Sequence, residues 1–161
     1  MTPRVDLELA GVGRGWPTRA MVRALSRRVR RAAFAMGCGP DQVDGITLRI
    51  VHDDRMRQLK AEHLGMAEAT DVLAFPAGAG LPGEDDPGLG EIVLNRDAVA
   101  RQAAAPGEAG WLDEATALAI HGVAHLRGHD HHQRTASRRM LRCERRGSRA
   151  VGLACMRPYG G

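Results

Sequence analysis

The sequence predicts a single α+β domain in which a mixed sheet of about four strands is covered by helices. Three observations carry that expectation. Four short segments bounded by turn residues are apolar on alternate positions or throughout, as strands are, and the stretches between them repeat apolar residues every three to four positions, as helices do. With 161 residues, 43% of them hydrophobic, the chain has the length of one domain and enough apolar residues for a core.

In order, Val5 to Leu9 alternates apolar and polar residues like a half-buried strand, and Gly11 to Pro17 reads as a turn. Thr18 is placed to cap a helix running to about Met36. Met21, Val22, Leu25, Val29, Ala32 and Ala33 form its apolar face, with Arg27, Arg28, Arg30 and Arg31 mostly outside it. Gly37, Gly39 and Pro40 stop that helix. A second strand spans Gly45 to His52, and Asp53 is expected to cap a helix through about His63. Thr70 to Phe75 is the third strand, closed by Pro76. Ala77 to Leu89, rich in Gly, Pro and acids, reads as a loop, and Gly90 to Asn95 is the fourth strand. Helices follow at Asp97 to Ala105, Leu112 to Arg127 and Ala136 to Arg149, with a break from Pro106 to Gly110.

The formal charge is +4, and Lys60 is the only lysine. A basic surface suits a polyanionic partner, although an arginine-rich composition alone produces the same count. The last helix carries Arg138, Arg139, Arg142, Arg145 and Arg146, a pattern that fits phosphate contacts and equally a solvated face. Aromatic residues are too few for a base-stacking platform. No apolar run has the length of a membrane span, and Arg4, Asp6 and Glu8 interrupt the N-terminal stretch where a signal peptide would be apolar. Cys38, Cys143 and Cys155 are odd in number and lack CxxC spacing, so a reducing cytoplasm is the expected compartment.

Chemistry concentrates in His121 to His131, HGVAHLRGHDH. His121 and His125, four apart on a helix, share one face one turn apart. Gly128 stands where a helix ends on a left-handed residue, so the chain can reverse and bring His131 back towards them. Three imidazoles converging on one point suit a divalent metal, zinc above all. Three protein ligands leave a fourth position for water, the mark of a catalytic site. Asp130 is placed to orient a ligand histidine or take up a proton, or simply to form the turn. His129 and His132 are read as neighbours of the ligand set. The spacing resembles the metzincin pattern HExxHxxGxxH at every fixed position but one, so the histidine-bearing helix is expected to be zincin-like. Gly122 stands where those proteases carry their glutamate base, which argues against peptide hydrolysis and for a packing role in which another backbone approaches closely.

The chain also resembles the YbeY-type endoribonucleases, bacterial rRNA maturation factors. Their HGxxHLxGxDH signature is matched by His121, Gly122, His125, Leu126, Gly128, Asp130 and His131, and a PTDVLSFP-like segment by Thr70 to Pro76, with Ala69 and Ala74 in place of a proline and a serine. A glycine and an acid leading a strand, Gly90 and Glu91, make the third match. The resemblance implies a zinc-dependent nuclease cutting single-stranded RNA, active in 16S rRNA 3′-end maturation and ribosome quality control. Its partners would be rRNA and the small ribosomal subunit, with neither DNA nor membrane. It also implies substrate contacts at Thr70 and Asp71. The family's arginine before the PTDVLSFP segment falls on Leu64; Arg49, Arg57 and Arg127 are the candidates to replace it, and Arg127 is taken as substrate-binding. Two alternatives stand beside the nuclease. One is a ribosome assembly factor with a mainly structural metal, and the other is a metal-dependent hydrolase of another bond, such as peptide.

Overall fold

The computed structural model describes residues 4–7, as backbone, together with 17–78, 88–129 and 134–154. Four strands form one sheet: β1 (Arg4–Leu7), β2 (Ile46–Val51), β3 (Val72–Pro76) and β4 (Gly90–Asn95), in the order β1-β2-β4-β3. The pairs β1–β2 and β2–β4 are parallel and β3 runs antiparallel along β4, so the sheet is mixed and β3 is an edge. Six helices accompany it: α1 (Arg19–Ala35), α2 (Pro40–Asp44), α3 (Asp53–Leu64), α4 (Arg96–Gln102), α5 (Gly107–Leu126) and α6 (Arg134–Ala150).

Both faces of the sheet are covered, as its parallel part requires. Ile46, Leu48 and Ile50 of β2 and Ile92 and Leu94 of β4 point into the larger core, built with Leu25, Val29, Trp111, Leu118, Ile120 and Met140 from α1, α5 and α6. Val51, Leu73 and Val93 point the other way, onto Met56 and Leu59 of α3. Helix α5 lies between the sheet and the α1 and α6 helices. Its residues from Ala115 to Ala124 are all buried, so both sides of the helix had to be apolar or small. No described helix is long and apolar enough to cross a membrane.

Several boundaries differ from the sequence reading, each for a local reason. Thr18 does cap α1, its hydroxyl accepting from Met21 N at 3.2 Å. Pro40, read only as a stop, also starts the short α2, because its fixed φ suits a first helical position. Helix α3 is capped by His52, not Asp53, and the Asp53 amide donates instead to Asp97 Oδ2 at 3.0 Å, a carboxylate reaching in from α4. Helix α5 begins five residues earlier than expected. Gly110, read as a breaker, is inside it, where a Cβ would overlap the backbone of Ala105. Of the expected loop from Ala77 to Leu89, residues 79–87 lie outside the described residues.

Candidate metal centre

Helix α5 sets the geometry. His121 and His125 sit one turn apart near its carboxyl end, with their Nε2 atoms 3.0 Å apart and their rings nearly perpendicular at 88°. Helix α5 then closes in a Schellman turn: Gly128 N donates to His125 O at 2.9 Å and His129 N to Ala124 O at 3.1 Å, with Gly128 at φ +82°. The chain therefore reverses where the glycine predicted it. Asp130, His131 and His132 lie outside the described residues, and among the described residues no three metal-ligating side chains converge.

Behind the pair stands a residue that the sequence reading missed. Glu144 of α6 is 4% exposed, and its Oε1 lies 2.5 Å from His121 Nδ1. A carboxylate accepts only, so Nδ1 carries the proton and the Nε2 lone pair is turned towards His125. This is the arrangement in which a carboxylate fixes the tautomer and orientation of a ligand imidazole. A signal for it existed. Met140, Cys143, Glu144 and Gly147 form the buried stripe of α6 at helical spacing, so the acid occupies a core position on an otherwise arginine-rich helix.

Two nitrogens each about 2.0–2.1 Å from one zinc ion, at an angle between perpendicular and tetrahedral, lie roughly 2.9–3.4 Å apart. The observed 3.0 Å fits that spacing, and two neutral imidazoles backed by a buried carboxylate are a donor set suited to such a cation.

The histidines open on a cleft of about 310 Å³, whose opposite wall is the edge strand through Val72, Leu73, Ala74 and Pro76. Gly122 lines it too. A Cβ there would come within 2.9 Å of Ile92 Cγ2, so the glycine admits a strand side chain, where the sequence suggested a backbone, and a glutamate has no room.

Thr70 and Asp71 precede this wall and are held by their backbone: Thr70 O accepts from Asn95 Nδ2 at 3.0 Å and Asp71 O from Asn95 N at 2.8 Å. Leu64, at the end of α3, is 51% exposed. None of the three replacement arginines lines the cleft. Arg49 pairs with Glu91 at 2.8 Å and Arg57 with Asp54 at 2.9 Å. Arg127 turns the other way, its Nη1 donating to the Met36 carbonyl at the end of α1. It faces Cys143 and stands beside His129, whose pKa burial and then the Arg127 charge hold below the usual imidazole range. Burial pushes the thiols of Cys38 and Cys143 up, which leaves both poor nucleophiles.

Known proteins resemble this chain over most of its length. A family model described as Endoribonuclease YbeY matches residues 18–152. A Thermus thermophilus protein named Endoribonuclease YbeY is 41% identical over 71% of this chain and 80% of its own. One of the same name from Allorhizobium ampelinum is 34% identical over 98% of this chain and 96% of its own. Among solved structures, a solution structure of a Thermotoga maritima protein aligns with a TM-score of 0.50 and 21% identity, over 91% of this chain and 88% of that one, a likeness of fold alone. The family match covers most of the chain and includes both histidines, the cleft wall and Glu144, so the chain belongs to the YbeY endoribonuclease family.

Proposed function

We propose that the chain is a metal-dependent endoribonuclease that cuts single-stranded RNA in rRNA processing, with the small ribosomal subunit as its partner. The observation that carries this is the pair of Nε2 atoms 3.0 Å apart on a cleft, with Glu144 buried behind His121. His121 and His125 hold a divalent cation, zinc as the first candidate, with His131 as third ligand. When bound, such an ion supplies a Lewis acid for the phosphodiester and activates water for attack on it. Glu144 holds His121 in the binding tautomer, Gly122 keeps the helix against β4, and the β3 edge forms the wall along which a strand lies. Asp130 is the candidate to carry a proton at the site.

The test is cleavage of a labelled single-stranded RNA, with metal content assayed on the same sample. Wild type is expected to carry about one metal per chain and to cut, and His125→Ala to lose both, with cleavage down at least a hundredfold. Wild type that carries metal and leaves RNA intact would sink the nuclease reading. An assembly factor with a structural metal would then stand first, a reading favoured by the absence of arginine from the cleft wall among the described residues.

A further inference from the structure

A second site lies where α6 passes the end of α5. We propose that the pocket lined by Arg127, His129, Arg139, Arg142 and Arg146 is a phosphate subsite that holds a backbone phosphate of an RNA strand entering the histidine cleft. The proposal rests on the RNA reading above and deepens it.

The charge distribution is its first support. Elsewhere several arginines have carboxylate partners: Arg28 with Asp113, Arg30 with Asp44, Arg49 with Glu91, Arg57 with Asp54 and Arg101 with Asp53. On α6 the only acid is Glu144, and it is turned inward onto His121. Among the described residues no arginine of α6 makes an ion pair. Like charges gathered around one pocket repel each other, and an anion in their midst removes that cost.

Helical geometry is the second support. Arg139, Arg142 and Arg146 follow the i, i+3, i+7 spacing that brings side chains to one face, and all three line the pocket. Arg138 and Arg145 share a different face and do not line it. The pocket holds about 380 Å³, with room for a phosphate and part of its sugar. Guanidinium groups offer the planar pairs of N–H donors that phosphate oxygens accept, without regard to base identity.

Position is the third. Arg127 and His129 follow the metal helix directly, and Cys143, also in the pocket wall, adjoins Glu144. The same two helices therefore carry both sites.

The test measures binding of a fluorescein-labelled single-stranded RNA to the full chain, in chelator to stop turnover, over a series of salt concentrations. Arg139→Gln with Arg142→Gln is compared with Arg138→Gln with Arg145→Gln, an equal charge change on the other face of the same exposed helix. The pocket pair is expected to weaken binding tenfold or more and to flatten the salt dependence by about 0.7, the share of the one phosphate no longer neutralised. The control pair should change binding by less than about twofold. Inorganic phosphate should compete with RNA on wild type and fail to compete on the pocket pair. Equal losses from the two pairs would overturn the subsite and leave net charge as the explanation. Unchanged RNA affinity in the pocket pair, with phosphate binding lost, would also overturn it, and the pocket would then belong to a free anion. Wild type that binds no RNA even at low salt defeats the RNA reading itself, a result distinct from either.

Discussion

Two buried polar centres touch β4, and they are built to opposite ends. At its carboxyl end Asn95, fully buried, uses its whole amide: Nδ2 donates to Asp53 Oδ1 at 2.7 Å and Thr70 O at 3.0 Å, while Oδ1 accepts from Asp97 N at 3.0 Å and Ala98 N at 3.3 Å. Arg101 then clamps both oxygens of Asp53 at 2.8 and 3.0 Å. That network closes on itself and ties α3, α4 and the start of β3 to the sheet. On the flat of β4, where Gly122 meets Ile92, the chain of contacts runs from Glu144 through His121 to a pair of ring nitrogens at a cleft. A closed network fixes the frame, and an open one presents atoms to a ligand.

The contrast is sharpest for Glu144→Gln. The amide keeps the shape and removes the charge, so metal affinity should fall about 10–100-fold, as measured by competition with a chromogenic chelator, with the thermal midpoint of the metal-free protein little changed. Unchanged affinity would reduce Glu144 to a packing residue. Asn95→Ala should do the reverse. Loss of the α4 cap and of two buried partners should cost about 2 kcal/mol in urea unfolding, while metal affinity of the folded protein stays within about twofold. If metal affinity fell with stability, the two centres would be one unit and the comparison would break.

The smallest expected effect is a pH dependence. Hydrogen bonding from Arg101 lowers the Asp53 pKa from 3.8 to about 2, against the opposing effect of burial. A carboxylate depressed on folding adds stability above its unfolded pKa, and that stability is lost as pH falls from about 4 through about 2. Arg101 is 60% exposed, so solvent screens much of this contribution. Asp53→Asn should therefore flatten the urea midpoint between pH 5 and pH 2.5 relative to wild type; equal slopes in the two proteins would place the acid sensitivity elsewhere.

Much of this was legible in the chain. Alternation in Ile46–Val51 and the unbroken apolar run Ile92 to Leu94 located β2 and β4 almost to the residue, the second because a strand with a core on each face is apolar at successive positions. Helix α5 and its turn could be read from His121, His125 and Gly128, since a four-residue spacing and a left-handed glycine are local facts. The boundary differences have two causes. Pro40 starts α2 by a local rule, its fixed φ suiting a first helical position, while Gly110 is fixed by the Ala105 backbone beside it and the amide of Asp53 is met by Asp97, 44 residues away in sequence.

The sequence by itself determined the periodicities, the pairing of two imidazoles on one helical face and the family resemblance, because each depends on neighbours within a few residues. Only the tertiary structure decided that Glu144, 23 residues beyond His121, is its partner, and that three of the α6 arginines share a pocket with Arg127 while others face away. Those facts depend on how α6 is rotated against α5, and that rotation is set by burying Met140, Cys143 and Gly147 in a core that no local spacing records.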